Sequence, residues 1–460
     1  MQKQDLKIKY FAQKFLGKLI LPDDKEYNSA RQVWNGLYDK YPAAIAKCKN
    51  SSEVQDAVNF ARENKLEIAV RGGGHDYAGN SVCDEGLVID LSLMNKVEVD
   101  PNSNTAVVQG GATIGQLDEA TQKYSLAIPT GTVSSIGIGG LTLGGGSGYL
   151  SRKLGLTLDS LISAEIVTAK GDIVTANESE NEDLFWAIRG GGGNFGIVTS
   201  FKFRLHEVGP EVLSFQAYHQ FKDSRKILEF YREFMEGAPD ELQCYAFFLN
   251  VPPVEPFPEE FHGKTTCALV ACYSGDHEKG EAVLQSLNEL GNPIFKFQQT
   301  VKYTDVQKSF DAGTPKGLRW YTKAHYLPEI NNSVISKILD FTGSLPGAYT
   351  LAYLEPVSGA VTRIPSTATA FPHRKESYSF HIFPGWSEEG DDEKNIKWAK
   401  DLYNALKKES NGGVYVNLMS HDEDDRTKNA YGENFDLLVK VKKKWDPNNL
   451  FRSNHNIEPA

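Results

Sequence analysis

The sequence predicts a protein of mixed helices and strands that is organised in at least two domains. Its 460 residues exceed what a single hydrophobic core usually organises. Over the first 200 residues, short segments with helical spacing are interspersed with short segments that have the spacing of strands. The predicted elements that follow are longer, and glycine clusters are fewer there. The change of character falls at residues 207–210, Glu-Val-Gly-Pro, where we expect a domain boundary.

The elements of the first half follow from residue spacing. Helical spacing over 52–64, begun by a capping box of Ser52 and Gln55, predicts an amphipathic helix with Val54, Ala57, Val58 and Ala61 on its apolar face. Helices are also expected over 113–124 and 183–188, and strands over 66–70, 86–91, 97–99, 106–109 and 197–205. Segments 164–169 and 173–176 flank Lys170-Gly171-Asp172, which is a hairpin signal.

Two further elements are predicted near the end of the chain. Residues 414–418, Val-Tyr-Val-Asn-Leu, alternate in polarity, which predicts a strand with Tyr415 and Asn417 on one side. A helix is expected over 433–445 with Leu437, Leu438, Val441 and Trp445 on one face. Asp446-Pro447 ends it, because proline cannot continue a helix.

Composition excludes several classes of function. The formal net charge of −11, without a basic stripe, argues against nucleic acid or anionic lipid as the main partner. The five cysteines are scattered and form no CxxC motif, which predicts reduced thiols and neither disulfides nor a metal site. There is no run of 18 apolar residues and no signal-peptide core, so we expect no membrane span and a cytoplasmic protein.

Glycine-rich loops recur over 71–75, 137–148 and 190–196. Successive backbone N–H groups in such loops can form a concave anion site, so three loops predict a long ligand with a pyrophosphate, such as a dinucleotide. Residues 191–196 match GxGxxG, but a helix precedes them and a strand follows, which is the reverse of a Rossmann site. No Walker A or HExxH motif occurs, and Tyr149 breaks a GxSxG pattern at Ser147.

Four segments in a fixed order carry a family resemblance. The first is Arg71-Gly72-Gly73-Gly74-His75-Asp76, and the second is Pro129–Thr132 followed by 139–152, Gly155, Leu156 and Asp159. The third is 369–374, Thr-Ala-Phe-Pro-His-Arg. The fourth consists of 431–434, 446–451 and Asn454. This ordered set resembles the berberine-bridge and hexose-oxidase-like branch of the vanillyl-alcohol-oxidase flavoproteins. The similarity runs from about residue 40 to the end of the chain.

The resemblance implies an α+β fold with a PCMH-type FAD-binding domain made of two subdomains. That domain is expected over residues 1–206, with its core at about 38–206. A substrate domain with a large antiparallel sheet flanked by helices is expected over 207–420. Residues 421–460 are then a C-terminal segment that returns to the FAD domain.

The resemblance also implies FAD attached covalently to His75, the position at which the family binds the flavin 8α carbon. This chemistry needs a neutral imidazole as nucleophile, and the alternative is a loop histidine that only hydrogen-bonds to backbone. Many relatives make a second link through a cysteine, where this chain has Val133, so we expect a single link. Gly131 matches a small residue that leaves dioxygen a path, which favours an oxidase over a dehydrogenase.

The residues that the resemblance and the glycine loops assign to the cofactor are spread over the whole chain. They are Arg71, Gly72, Gly73, Gly74, His75, Asp76, Gly131, Thr132, Val133, Gly137, Gly139, Gly140, Gly144, Gly145, Gly146, Ser147, Gly148, Asn194, Gly196, Ile197, Tyr415, Asn417 and Asn454.

Tyr415, Asn417 and Arg363 are the candidate catalytic residues. Tyr415 and Asn417 resemble the family's Tyr-x-Asn pair, so Tyr415 is expected to be the base or a substrate-orienting hydroxyl, or else to pack against the cofactor. A free tyrosine has a pKa of about 10, so a base at this position needs a neighbour that stabilises phenolate. An ungapped count back from 371–374 places Arg363 where the plant enzymes have a catalytic carboxylate. An arginine is no general base, so we expect Arg363 either to lower the pKa of a nearby phenol or to hold an anionic substrate.

Glu355 is a further candidate base, whereas His373 and Arg374 are as easily structural as catalytic. The expected function is an FAD-linked oxidase of a small alcohol, sugar or amine, with hydride transfer to flavin, dioxygen as acceptor and hydrogen peroxide as product. The alternatives are a dehydrogenase that uses a quinone or carrier and a flavin-containing structural or coat protein. The expected partners are a small-molecule substrate and dioxygen, with no metal, in a monomer or homodimer.

Overall fold

The structure, a computed structural model, describes residues 2–460, with the side chains of all but residues 2–5 and 424. Its strands are β1 (Lys18–Ile20), β2 (Ala44–Lys47), β3 (Ile68–Arg71), β4 (Leu87–Asp90), β5 (Val97–Asp100), β6 (Thr105–Gln109), β7 (Leu126–Ala127), β8 (Leu161–Val167), β9 (Ile173–Asn177), β10 (Ile197–Arg204), β11 (His206–Glu207), β12 (Glu211–Gln220), β13 (Leu242–Asn250), β14 (Thr265–Tyr273), β15 (Phe295–Lys302), β16 (Arg319–Trp320), β17 (Lys323–Leu327), β18 (Leu351–Pro356), β19 (Tyr378–Phe383) and β20 (Gly385–Trp386).

The helices are α1 (Gln2–Lys14), α2 (Tyr27–Arg31), α3 (Ser51–Asn64), α4 (Ile114–Thr121), α5 (Ile138–Gly144), α6 (Ser151–Leu154), α7 (Glu182–Ile188), α8 (Ser224–Glu236), α9 (His277–Asn288), α10 (Tyr303–Gln307), α11 (Asn332–Thr342), α12 (Ala360–Arg363), α13 (Asp392–Leu406), α14 (Thr427–Tyr431) and α15 (Phe435–Trp445). None of the helices within residues 2–460 is long and apolar enough to cross a membrane.

Two separate sheets are built from the first 204 residues. The first has the order β1-β2-β4-β3, in which β2 and β3 run parallel to β4. The second has the order β5-β6-β10-β8-β9 and is antiparallel throughout. Its predicted hairpin is confirmed, since β8 pairs with β9 through a turn at Gly171, where φ is +85°.

A seven-stranded sheet with the order β15-β12-β14-β13-β18-β19-β17 is built from residues 211–383. All of its pairings are antiparallel. One face packs on α8, α9, α11 and α13 in a core that includes Phe248, Leu354 and Phe380. Because side chains alternate along a strand, Phe247 and Tyr353 point from the other face, toward the glycine-rich loops.

The C-terminal segment packs on the two N-terminal sheets. Leu438 and Val441 of α15 lie in the core of the five-stranded sheet, and Phe451 lies in that of the four-stranded sheet. The buried Lys442 ammonium donates to the backbone oxygen of Asn194 at 2.8 Å and to that of Phe451 at 2.9 Å. The ammonium also pairs with the Asp446 carboxylate at 2.7 Å, which compensates its buried charge. Lys442 thus joins the C-terminal segment to the backbone of Asn194.

Several predicted details are wrong for local reasons. Helix α3 is capped by the Asn50 side chain, which accepts from the backbone of Glu53, and not by a capping box at Ser52. Residues 416–418 form a 3₁₀ turn and not part of a strand, because no neighbouring strand pairs with them in the described structure. On α15 the side chain of Leu437 is 47% exposed and lies outside the predicted apolar face.

Candidate active site

A cavity of about 350 Å³ lies where the glycine-rich loops meet the inner face of the seven-stranded sheet. Its size falls in the range of small-molecule and cofactor sites. The walls are supplied by residues within 72–77, 131–143 and 192–198, by strands β13, β18 and β19, and by residues within 415–418 and 451–455. Distant parts of the chain thus meet around one space.

Most of the residues assigned to the cofactor from the sequence lie around this cavity. Its lining includes Gly72, Gly73, Gly74, His75, Asp76, Gly131, Thr132, Val133, Gly137, Gly139, Gly140, Ser147, Asn194, Gly196, Ile197, Tyr415, Asn417 and Asn454. Arg71, Gly144, Gly145, Gly146 and Gly148 do not line it, although the sequence assigned them to the cofactor.

His75 follows strand β3 through a turn in which Gly74 has a φ of +72°, a conformation that favours glycine. Its Nε2 lies 2.9 Å from the hydroxyl oxygen of Ser135. Its ring stacks on that of Trp34 with centroids 4.8 Å apart. Burial, with a smaller contribution from the positive charge of Lys316, lowers the pKa of His75 to about 3. The imidazole is therefore neutral at physiological pH, as a nucleophile must be.

The Arg71 guanidinium points away from the cavity. It donates to the backbone oxygen of Ala30, and its ion pair with Asp90 spans 3.8 Å. Burial lowers its pKa, while the Asp90 carboxylate acts in the opposite direction. Arg71 therefore fixes the start of the first glycine loop from the side away from the cavity, and its contact with the cofactor stays a prediction.

The second glycine run is filled by the protein's own side chains. A Cβ atom at Gly144 would lie 1.9 Å from Oδ1 of Asn417, and one at Gly146 would lie 2.0 Å from Oγ1 of Thr157. At Gly148 it would lie 2.0 Å from the backbone oxygen of Thr130. These glycines are needed for close packing of the protein itself, and their role in binding the cofactor stays a prediction.

Tyr415 and Asn417 meet above this run. The phenol oxygen of Tyr415 accepts hydrogen bonds from the Gly146 N–H at 2.7 Å and from Nδ2 of Asn417 at 3.0 Å. Both bonds favour phenolate, yet burial dominates and raises the pKa of Tyr415 above its ordinary value. Tyr415 is therefore a phenol at neutral pH whose own hydrogen remains available for a ligand.

Glu355 lies on β18 with its carboxylate in the cavity wall. One carboxylate oxygen accepts a hydrogen bond from the Ser147 hydroxyl, and the other lies 3.1 Å from Nε2 of His381. The residue is only 6% exposed, so the carboxylate is held almost out of water. A buried carboxylate beside an imidazole and a phenol can accept a proton from a bound molecule.

Arg363 does not reach the cavity. It ends helix α12, and its guanidinium pairs with Asp240 at 2.7 Å while remaining 61% exposed. The ungapped count from 371–374 placed it at the site, but β18 ends at Pro356, before α12 begins, and brings Glu355 there instead. The structure thus does not bring Arg363 together with Tyr415 or with the other residues of the cavity wall.

His373 and Arg374 also lie away from the cavity lining. The buried Arg374 guanidinium donates to both oxygens of Asp159, at 2.8 and 2.7 Å. Nε2 of His373 lies 3.0 Å from the backbone oxygen of Ala430. Both residues join distant segments, which is a structural role.

Sequence reasoning missed most of the aromatic wall of the cavity, including Tyr245, Phe247, Phe310 and Phe383. Phe247 packs on Tyr353 with ring centroids 4.7 Å apart, and Tyr353 stacks on His381 at 4.3 Å. Tyr245, Phe310 and Phe383 complete this wall. The signal was present as alternation, since Tyr245 and Phe247 share one strand and Leu351, Tyr353 and Glu355 share another.

The residues around the cavity fit a flavin adenine dinucleotide. A Cβ atom at Gly140 or Gly193 would meet nothing within 4 Å, so the backbone there borders open space. The buried Oδ1 of Asn454 has no hydrogen-bond partner among the described residues, and it lies in the cavity wall, where a ligand N–H can reach it. The described lining contains no Lys or Arg, so a pyrophosphate would be held by backbone N–H groups.

Comparisons with known proteins agree with this geometry. Residues 42–177 match the FAD binding domain family, and residues 414–458 match the family described as berberine and berberine like. An FAD-linked oxidoreductase of Dictyostelium discoideum is 33% identical over 98% of this chain and 96% of its own length.

Solved structures show the same fold. The berberine-bridge-enzyme-like protein 1 of Physcomitrella patens superposes with a TM-score of 0.89 at 25% identity, over 98% of this chain and 99% of that one. The 6-hydroxy-D-nicotine oxidase of Arthrobacter nicotinovorans gives a TM-score of 0.86 at 27% identity, over 97% and 98%. The predicted α+β fold of the PCMH type, with its large antiparallel sheet, is confirmed, and the chain belongs to the berberine-bridge-enzyme-like family of FAD-dependent oxidoreductases.

Proposed function

We propose that this chain is an FAD-linked oxidase that takes a hydride from a small alcohol, sugar or amine and passes the electrons to dioxygen, releasing hydrogen peroxide. The observation that carries the proposal is the arrangement of one cavity. A neutral imidazole, His75, lines the same space as a buried carboxylate, Glu355, and a buried phenol, Tyr415. The wall between them is aromatic and suits the flat face of an organic substrate.

His75 is the proposed attachment point of the cofactor. The flavin, when bound, supplies the hydride acceptor that none of the protein's side chains provides. A low pKa keeps His75 unprotonated, and its position in the cavity wall exposes it to a ligand. Val133, in the same lining, cannot form a thioether, so the proposed link is single.

Tyr415 and Glu355 divide the handling of the substrate. The Tyr415 oxygen already accepts two hydrogen bonds, so its own hydrogen is free to donate to a substrate oxygen or nitrogen and to orient it. Its raised pKa makes it a poor base. Glu355 is the proposed proton acceptor, and His381, 3.1 Å away, stabilises its charge or accepts the proton in turn.

Dioxygen is the proposed electron acceptor because Gly131 lines the cavity and matches the position at which the family has a small residue beside the path of dioxygen. A Cβ atom there would be in ordinary contact with the side-chain ends of Ile114 and Leu141, at 3.4 and 3.5 Å. Rapid mixing of the reduced holoenzyme with dioxygen tests this step. Fast reoxidation supports the oxidase, whereas slow reoxidation together with fast electron transfer to a quinone identifies a dehydrogenase.

The attachment is tested by denaturing the purified protein in acid and measuring the flavin mass that remains on the chain. We expect retained flavin in the wild type and none in His75→Ala. His277 lies on α9, outside the cavity lining, and His277→Ala is the matched control that should retain flavin. Flavin that washes off the wild type would refute the covalent link.

The role of Glu355 is tested with Glu355→Gln in a peroxide-release screen of alcohols, sugars and amines. Loss of a general base lowers kcat by roughly 10²- to 10⁴-fold. Flavin content should be unchanged, because Glu355 is not part of the proposed attachment. Glu409→Gln, in an ion pair with Lys337 outside the lining, is the control. Full activity of Glu355→Gln would remove Glu355 from the mechanism.

A further inference from the structure

We propose that Ser135 and Trp34 are positioning residues for the attachment of flavin to His75. Ser135 holds the hydrogen of the imidazole on Nε2, so that the lone pair on Nδ1 faces the ligand, and Trp34 fixes the plane of the ring. This inference rests on the proposed covalent link, and it assigns a role to two residues that no glycine motif includes.

The contacts of His75 distinguish its two ring nitrogens. Nε2 lies 2.9 Å from Oγ of Ser135. In the part of the chain that the structure describes, Nδ1 has no hydrogen-bond partner. A neutral imidazole has one N–H and one lone pair, and a serine hydroxyl can bond to either form of Nε2. In the proposed tautomer Nε2 donates its hydrogen to Oγ of Ser135, which leaves the lone pair on Nδ1.

The Ser135 hydroxyl lies in a loop whose position is fixed on both sides. The Ser134 backbone N–H donates to Oδ1 of Asp311 at 2.8 Å, and the backbone oxygen of Ser134 accepts from Gly115 at 2.8 Å. The backbone oxygen of Ile136 accepts from Ile114 at 2.9 Å. Because the residues before and after it are bound, Ser135 keeps its place when a ligand enters the cavity.

Trp34 is anchored equally well. Its indole N–H donates to the backbone oxygen of Thr314 at 3.1 Å, and its backbone N–H donates to that of Gly74 at 3.0 Å. Its ring also stacks on Trp320, with centroids 5.3 Å apart and an interplanar angle of 14°. The imidazole of His75 therefore lies against a rigid aromatic plate, which restricts rotation of its ring.

The proposed attachment step uses this arrangement. Nδ1 of His75 forms a bond to the carbon of the flavin 8-methyl group, and one C–H bond of that methyl breaks, leaving its electron pair on the flavin. The methyl hydrogen leaves as a proton, and the Nε2 hydrogen leaves through Oγ of Ser135. One dioxygen accepts the two electrons and both protons and becomes hydrogen peroxide, which restores the oxidised flavin.

The test follows attachment itself and not turnover. Full-length chain produced under riboflavin limitation is mixed with FAD in air, and the covalent flavin fraction is followed by intact mass. Nuclear magnetic resonance of the flavin-bearing peptide then identifies the bonded nitrogen. Ser135→Ala should attach flavin about tenfold more slowly, the effect of one lost hydrogen bond, and should yield a fraction linked through Nε2. Ser135→Thr should restore the rate.

Matched variants separate the hydroxyl from the loop. Ser134→Ala keeps the backbone bond to Asp311 but loses the bond from the Ser134 hydroxyl to Oδ2 of Asp311. It therefore loosens the loop without removing the hydroxyl at His75, and it should slow attachment less than Ser135→Ala does. Trp34→Phe retains an aromatic plate and should stay within about threefold of wild type, whereas Trp34→Leu should be more than about tenfold slower. Thermal unfolding of each variant verifies that the fold is intact. If Ser135→Ala is unstable, Ser135→Thr still tests the role of the hydroxyl, because it should attach flavin at the wild-type rate.

Each contrary result has a distinct meaning. Wild-type rate and exclusive Nδ1 linkage in Ser135→Ala would overturn the role of Ser135. Equal slowing of Ser134→Ala would assign the effect to the loop and also overturn it. Wild-type attachment by Trp34→Leu would overturn the role of Trp34. A wild-type chain that never attaches flavin would refute the covalent link itself, and this inference with it.

Discussion

Gly140, near the start of helix α5, and a second group, Gly144 and Gly146 at its end, have opposite uses. At Gly140 a Cβ atom would meet nothing within 4 Å, so the missing side chain leaves room for a ligand. At Gly144 and Gly146 it would collide with Asn417 and Thr157. The second group leaves room for side chains of the protein, one of them from a distant segment of the chain. A glycine-rich motif thus marks close approach without identifying what approaches.

The largest effect should come from Gly146→Ala, in the self-filled group. Gly146 has a φ of +85°, which costs a non-glycine residue about 1–2 kcal/mol, and the new methyl collides with Thr157. Overpacking adds roughly 1–3 kcal/mol. We expect the free energy of unfolding to fall by about 3 kcal/mol in urea titrations. A loss below about 1 kcal/mol would show that Thr157 gives way and that the packing is looser than described.

Gly140→Ala should have an intermediate effect of a different kind. The free energy of unfolding of the flavin-free chain should be unchanged or about 0.5 kcal/mol higher, because alanine is the better helix former. The bound flavin fraction, measured by absorbance, should fall because the methyl enters the cavity. Gly237→Ala is the matched control, since Gly237 also has open space at its Cβ but ends α8 outside the cavity lining. Undiminished flavin in Gly140→Ala would remove Gly140 from the ligand-facing group.

A pH-dependent effect concerns the residues that support Gly131, another glycine of the cavity wall. Nε2 of Gln307 lies 3.1 Å from the Gly131 backbone oxygen, 2.7 Å from Oγ1 of Thr130 and 3.2 Å from Oδ2 of Asp118. Burial raises the pKa of Asp118 to about 7, while the bond from Gln307 and the charge of Lys308 act against it and Glu119 acts with it. The folded chain thus retains a proton that the unfolded chain releases.

This proton makes stability depend on pH. As pH rises from the ordinary carboxyl pKa of 3.8 to about 7, the folded state binds more protons than the unfolded state, so the free energy of unfolding falls and then levels off. In Asp118→Asn that decline should be weaker, because the substituted amide has no proton to lose in this range. Thermal midpoints at about pH 5 and about pH 8 measure the difference. Identical pH profiles would mean that Asp118 does not titrate in this range.

Local periodicity predicted the fold better than it predicted the site. Helix α3 and the hairpin of β8 and β9 depend on neighbouring residues, and the sequence located both. Glu355 was only a spare candidate, because its entry into the cavity depends on how β18 pairs with β13 and β19. Arg363 was misplaced by an ungapped count across α12. Tyr415 and Asn417 do meet, but through a 3₁₀ turn and not through the predicted strand.

Most residues of the aromatic wall were omitted for a similar reason. Tyr245, Phe247 and Phe383 lie in strand segments, where aromatic residues are usually buried against other protein atoms. Only the tertiary structure shows that one face of the sheet covers helices and the other covers a cavity. The sequence predicted the part of the cavity wall that is built from glycine-rich loops. It did not predict the part that is built from the seven-stranded sheet.

A cavity wall whose described residues include neither lysine nor arginine has a consequence for handling the protein. Anions held by cationic side chains are released as ionic strength rises, because mobile ions screen the attraction. An anion held by neutral amide dipoles inside the fold has no such counter-charges to screen. High-salt washing removes many phosphate-bearing ligands from basic sites. It should therefore leave FAD bound through its pyrophosphate even in a chain that lacks the bond to His75.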